Sequence, residues 1–242
     1  AMTLAVDAEL AKAQSVAVAL ATSSLLSAAD LPAFHARAAA LLRNEDIGAN
    51  VVLSDASGQQ LLNTLRLIGE PLPKHGNPEQ LQRVFETAVP AISSVFVSGT
   101  TGRPIISVDA PVLSNGRVVY VLSIVLALQS FDKLLRNQDL PVDWVSSITD
   151  RAGTTVARSK QPEQLVGSQA NPALLQHLQA AREGAFNTLT RDGIEAVAAF
   201  SRSAASGWTV AIALPHSTLW APWKKKLLQI GVGMFGLFAL GC

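Results

Sequence analysis

The side chains that most often do chemistry are sparse in this sequence and poorly spaced for it. Four histidines, His35, His75, His177 and His216, fall in separate stretches. No two stand at the i,i+3 or i,i+4 spacing that aims two imidazoles at one metal ion. The one cysteine, Cys242, allows neither an intrachain disulfide nor a thiolate cluster. There is no Gly-x-Ser-x-Gly nucleophile elbow and no Gly-x-x-x-x-Gly-Lys phosphate cradle. Gly231-x-Gly233-x-x-Gly236 matches the dinucleotide fingerprint by letter, but no strand precedes it and no room follows for its acidic partner. Neither a metal nor a cofactor is expected, and the acidic residues are too scattered to pair as acid and base. Recognition is the chemistry left, and the groups suited to it are Arg66, His75 and Arg83, close together in one stretch.

Composition narrows the partners. Of 242 residues 49% are hydrophobic, enough for one full core or two small ones, which excludes a disordered chain. Lys and Arg number 19 against 18 Asp and Glu, a net charge of +1, and only 15% of residues are charged. A broad basic field for nucleic acid is absent, whereas low charge points toward a membrane. The stretch 227–242 has no charged residue, and Trp220, Trp223 and three lysines at 224–226 precede it. Indole rings and ammonium groups settle at the headgroup layer, so 220–242 is expected to be a juxtamembrane segment and a transmembrane helix cut short.

Between the termini the elements follow a plan that occurs twice. Residues 3–31 lack Gly and Pro, and Leu4, Ala8, Ala11, Val18 and Leu25 fall near 3-and-4 spacing, the apolar stripe of one long helix. A second helix is expected at 32–44. Strands at 50–54 and 60–64 flank an Asp55 to Gly58 turn; a helix at 79–89, strands at 92–98, 104–112 and 118–128, and a helix at 129–138 follow. The second pass has strands at 144–149 and 154–159 about an Asp150 to Gly153 turn, a helix at 172–182, and strands at 185–190, 194–201 and 208–214. The two Asp-x-x-Gly turns lie 95 positions apart, which an internal duplication explains. The expected class is α/β in the α+β sense, with mostly antiparallel sheets. Its parts are a long helix at 1–31, modules at 32–138 and 139–219, and the membrane segment at 220–242.

Strand register locates a pocket. Asn115-Gly116 is a type I′ hairpin signal, so Ser114 should pair with Arg117. Continued without interruption, this sets Ile106 opposite Val125, Val108 opposite Ser123 and Ala110 opposite Val121 on one face, with Ile105, Ser107, Asp109, Leu122 and Ile124 on the other. Both faces are largely apolar, so both should be covered, one by the long helix and one by 65–89. That second cover brings His75 and Arg83 over Phe96, Ser98, Ser123 and Val125, and an apolar cleft with a few convergent polar groups is the usual form of a small-molecule site.

Two sets of motifs carry a resemblance. Asp150-Arg-Ala-Gly153, Val156-Ala157-Arg158-Ser159, Val166-Gly167, Ala199-Phe200-Ser201-Arg202-Ser203 and Ser206-Gly207-Trp208-Thr209-Val210 resemble the membrane-proximal module of double-Cache sensor domains. Thr101-Gly102-Arg103-Pro104, Ala110-Pro111-Val112 and Asn115-Gly116-Arg117-Val118-Val119 resemble the membrane-distal one. The resemblance implies two PAS-like modules on one N-terminal helix, outside the inner membrane between two spans. A small ligand would bind the distal module, the chain would be a homodimer, and the output would be a cytoplasmic histidine kinase, cyclase or chemoreceptor part. The last hairpin looks most like those of histidine kinases.

The same resemblance shapes the ligand. Amino-acid-binding members carry a Tyr-x-Asp and a further Asp where this sequence has Phe96, Ser98 and Val125, and Arg83-Val84-Phe85-Glu86 is the nearest counterpart of their Arg-x-Trp-Tyr. An α-ammonium group would be left without carboxylates, a cost of several kcal/mol. A small carboxylate or mostly apolar ligand met by Arg83 or His75 is expected, not an amino acid, and no nucleic acid. The alternative reading is a dimerising ectodomain that binds no ligand.

Overall fold

The chain begins in helix but does not stay there for 31 residues. The computed structural model describes residues 2–45 and 48–218, and the helix α1 (Met2–Ala21) ends where Thr22 turns its hydroxyl on the backbone. Thr22 Oγ1 donates to the Ala19 carbonyl, and Ser23 N–H bonds Leu20 in a tighter turn before entering the short α2 (Ser24–Ser27) in extended conformation. Hydroxyl side chains offer the backbone such alternatives, so the expected single helix is two. Helix α3 (Leu31–Glu45) follows, its first turn capped by Asp30 Oδ1 accepting from Ala33 N–H.

The first half continues as β1 (Asn50–Ser54), β2 (Gln60–Asn63), α4 (Pro78–Thr87), β3 (Ala91–Ile92), β4 (Phe96–Val97), β5 (Pro104–Ser114), β6 (Arg117–Ala127) and α5 (Gln129–Arg136). Its strands form one antiparallel sheet in the order β2-β1-β6-β5-β3, with β4 also on β5. The second half is β7 (Val145–Thr149), β8 (Thr155–Arg158), α6 (Pro162–Leu165), α7 (Pro172–Ala180), β9 (Glu183–Leu189), β10 (Glu195–Arg202) and β11 (Thr209–Pro215). Here the order is β8-β7-β11-β10-β9. The strand expected at 92–98 is two short pieces, and α6 has no counterpart in the sequence reading.

The duplication holds at the level of single bonds. Strands β1 and β2 map onto β7 and β8 at an offset of 95, and so do the register shifts at Leu53/Ser54 and Ile148/Thr149. The bridges Gln59 to Lys74 and Thr154 to Gln169 obey the same offset. In each copy the Asp accepts the N–H four residues on, through Oδ1, which closes the turn.

Two expectations about faces are corrected. The stripe of α1 that meets the sheet is Val6, Leu10, Ala13, Ala17 and Leu20, whereas Leu4, Ala8, Ala11 and Val18 are exposed. Apolar residues surround this helix, so periodicity alone did not choose the face. The β5–β6 register starts as expected at Ser114–Arg117, but Val119 is an extra residue: Leu113 pairs Val118 and Val112 pairs Tyr120. Such a bulge slips every later pair by one and exchanges the faces. Ser107 therefore stands opposite Val125 and Asp109 opposite Ser123, while Ile106, Val108, Ala110, Leu122 and Ile124 turn toward α1.

That helix-side core runs without interruption from α1 through α5 to Ile148, Val156 and Trp208 of the second half, where the indole packs on Phe131 at 5.2 Å between ring centroids. The two sheets are separate, yet one apolar core ties them. No helix among the described residues is long and apolar enough to cross a membrane, and the span expected within 220–242 lies outside the described residues.

Candidate functional site

On the sheet face away from α1, two covers lie over β1, β5 and β6. Helix α4 is amphipathic, capped by Asn77 Oδ1 accepting from Gln80 N–H, and rests Leu81 and Val84 against Val121. Beside it, the loop through His75 and Gly76 and the turn after β4 border a partly open cavity of about 20 Å³. The fit is close at Gly76, where a Cβ would come within 2.9 Å of both the Phe96 ring and the Val97 carbonyl.

Five of the six residues expected from the sequence line this cavity: His75, Phe96, Ser98, Ser123 and Val125. The sixth, Arg83, is exposed on α4 and is not part of the wall. The phase of that helix explains its position, since Leu81 and Val84 take the inward face. Sequence reasoning missed Asn50, Val52, Gln60, Thr100, Ile105 and Ser107, which with Gly76 and Gly99 complete the lining. Ile105 and Ser107 were assigned to the opposite face by the bulge-free register. Asn50, Val52 and Gln60 could have been found from their alternation on β1 and β2.

The chemistry of the wall is neutral. Its floor is apolar, with Val52, Ile105, Val125 and Phe96 in contact, and no Lys, Arg, Asp or Glu lines it. His75 Nδ1 lies 3.1 Å from both the N–H and the carbonyl of Asn77, and its Nε2 lies 3.4 Å from Ser123 Oγ. The ring stacks on Phe96. Ser107 Oγ is buried and has no hydrogen-bond partner among the described residues. One pair further along the same face, Asp109 is fully buried; Gln80 Nε2 donates to its Oδ2 at 2.6 Å, and its Oδ1 has no partner among the described residues. Buried polar groups are ordinarily paired, and of these two only Ser107 lines the cavity, so its hydroxyl marks the place where a ligand's bonding partner fits.

The site is wired to the rest of the fold. Next to Phe96, the Val95 N–H donates to Asp150 Oδ2 at 2.8 Å, across to the second sheet. The neighbouring Arg151 reaches the Ser206 carbonyl through Nε and Nη2. Ser203 and Ser206 in turn donate their hydroxyls to Asp7 of α1 at 2.7 and 2.6 Å.

No protein-family model and no curated protein matches the sequence. Solved structures do match in shape. The extracellular domain assigned to the histidine kinase rpHK1S-Z16 is 20% identical, with a TM-score of 0.64 over 85% of this chain and 94% of that one. The ligand-binding domain of Mlp24, solved with asparagine, is 17% identical, with a TM-score of 0.63 over 89% and 88%. That of the Pseudomonas fluorescens chemoreceptor CtaA, solved with L-isoleucine, is 16% identical, with a TM-score of 0.60 over 91% and 88%. The chain has the fold of these extracellular sensor domains.

Proposed function

We propose that the chain is the extracytoplasmic ligand-sensing part of a bacterial transmembrane receptor, of the histidine-kinase or chemoreceptor kind, and that the cavity of the first sheet is its site. The observation that carries this reading is a small, uncharged cavity with an unpartnered hydroxyl at Ser107, inside a fold whose solved examples include domains holding asparagine and isoleucine. The ligand is small and uncharged, with an apolar body for Phe96 and Val125 and a polar group for Ser107, Ser123 or His75. An amino acid's ammonium and carboxylate would find no opposite charge in this wall, and a carboxylate alone would lack a cation because Arg83 stands outside it.

A volume of about 20 Å³ holds about one water. Entry of a ligand therefore moves the cover, and the turn at 98–103 is the part this reading displaces: Ser98 Oγ accepts from its own Thr100 and Thr101, and one side-chain bond, Asn63 Nδ2 to Thr100 Oγ1, ties the turn to β2. Displacing Phe96 pulls on Val95, hence on Asp150, and through Arg151 and Ser206 on Asp7 of α1. That contiguous set of hydrogen bonds is the physical link between ligand and helix that this reading uses. The modules are 32–138 and 139–219, carried on the helices of 1–31 and followed by a membrane segment at 220–242 in the inner membrane. The exposed stripe of Leu4, Ala11 and Val18 repeats every seven residues, a seam suited to a homodimer.

The test is a thermal-shift panel of uncharged amides, polyols, short alcohols and heteroaromatic rings. A ligand at 100 times its Kd adds about 2.7 kcal/mol, or about 5–11 °C in a chain of this size. A panel that is inert while amino acids shift the transition overturns the neutral-ligand reading.

A further inference from the structure

The second sheet lines a partly open cavity of its own at the place equivalent to the first. At the offset of 95, Asn50, Val52 and Gln60 become Val145, Ser147 and Thr155, all of which line it. Register carries the comparison across the sheet. Val145 faces Ala213, Ser147 faces Ala211 and Ala198 faces Ala213, where the first sheet has Val125, Ser123 and Ser107. Three larger or polar side chains are thus replaced by alanine, and the cavity grows to about 60 Å³.

Charge differs as much as size. Arg158 stands where the first copy has Asn63, and it lines the cavity while only 7% exposed. Its Nη2 donates to Asp192 Oδ1 at 2.6 Å and its Nη1 to the Lys160 carbonyl. Arg191, also in the wall, folds over from the β9–β10 turn, with Nη1 donating to Ser168 Oγ and to the Gln169 carbonyl. The charged residues lining the cavity are both cations, and Asp192 neutralises one of them. Asp192 spends only Oδ1 on Arg158; its buried Oδ2 has no partner among the described residues. Two guanidinium groups and one carboxylate leave the mouth of an apolar, alanine-walled cavity one negative charge short of neutral.

We propose that this second cavity binds a short-chain carboxylate. The carboxylate takes charge-assisted hydrogen bonds from Arg158 and Arg191, and the alkyl tail lies against Ala198, Ala211 and Ala213. Such bonds are stronger than neutral ones, and the buried Arg158 is the more shielded of the two donors. At about 10–15 Å³ for each water-sized position, 60 Å³ accommodates about four to six non-hydrogen atoms, the size of propionate or butyrate. The site is distinct from the neutral cavity of the first sheet and selects by charge where that one selects by shape and hydrogen bonding.

Isothermal titration of the full chain with sodium butyrate tests this, with butanamide as the uncharged isostere. The expected result is saturable heat for butyrate and binding at least about tenfold weaker for butanamide. Arg191→Gln, on an exposed turn that leaves the core untouched, is expected to weaken butyrate about tenfold, and Ala211→Leu to abolish its binding by filling the space. Absence of heat from acetate through hexanoate overturns the proposal. So do equal heats for butyrate and butanamide, or an Arg191→Gln protein that titrates like the unaltered chain.

Discussion

Asp150 and Asp55 are the same residue of the duplicated plan, and they should behave differently when removed. Asp55 bonds only within its own turn, accepting from Ser57 N–H, Ser57 Oγ and Gln59 N–H. Asp150 closes the equivalent turn through Thr154 N–H, but its second oxygen holds Val95 of the first half, between β3 and β4, and the residue is 1% exposed. Truncating Asp55 to Ala should cost about 1 kcal/mol, as for other solvent-accessible local bonds. Asp150→Ala removes two bonds to a buried carboxylate and leaves a donor from each half without its acceptor, about 3 kcal/mol after allowing for the partial exposure of Val95. Because one core spans both halves, a single unfolding transition is expected, and about 2 kcal/mol of difference becomes about 4–8 °C in Tm. Asp150→Asn, which keeps one acceptor, should fall between. Thermal unfolding followed by circular dichroism reads all three. Equal shifts for Asp55→Ala and Asp150→Ala would show that the Val95 bond adds nothing, and with it would go the path from Phe96 to α1.

Further outcomes follow from the same geometry. Gly153 sits at φ +81°, where a Cβ would run into Leu175 Cδ2, so Gly153→Ala should cost more than Gly58→Ala, whose φ of +80° is nearly the same but whose space is open to 3.7 Å; urea midpoints compare them. Burial, partly opposed by Arg136, raises the Asp132 carboxyl, so its charge costs stability at neutral pH and the cost fades as protonation sets in. Asp132→Asn should therefore raise Tm at pH 7 and lose that advantage below about pH 4. Asp55 runs the other way: hydrogen bonding by Ser57 holds its carboxyl below the usual range, and the stability this contributes is lost as pH falls through that lowered value. Val18→Glu should convert a dimer to a monomer in sedimentation without lowering Tm appreciably, because Val18 is exposed on α1; an unchanged dimer would remove that seam from the account.

How much of this was legible in the sequence depends on the kind of signal. The 95-residue repeat, the Asn115-Gly116 turn and the cover over the sheet could be read because turn residues and periodicity are local. The identity of the wall could not be read completely. One bulged residue, Val119, exchanged the faces of β5, and nothing in the largely apolar run of β6 marks where a bulge falls. Helix α1 carries two apolar stripes, and only tertiary packing decides which meets the sheet. Arg83 was readable in retrospect, since the inward phase of α4 is fixed by Leu81 and Val84, and an arginine between them must face out. The buried Arg158 was quoted for its motif but not as a binding group, because its burial depends on Asp192, 34 positions away.

The most direct measurement for the central claim is a titration calorimetry comparison of the unaltered chain with Ser107→Leu, using the uncharged molecule that raises Tm most in the panel. Ser107 is fully buried, lines the first cavity and has no bonding partner of its own, so leucine occupies the space while breaking no side-chain bond. The account predicts saturable binding at one site in the unaltered chain and none in Ser107→Leu, with both proteins folded. Equal binding by both would contradict it and place the ligand elsewhere.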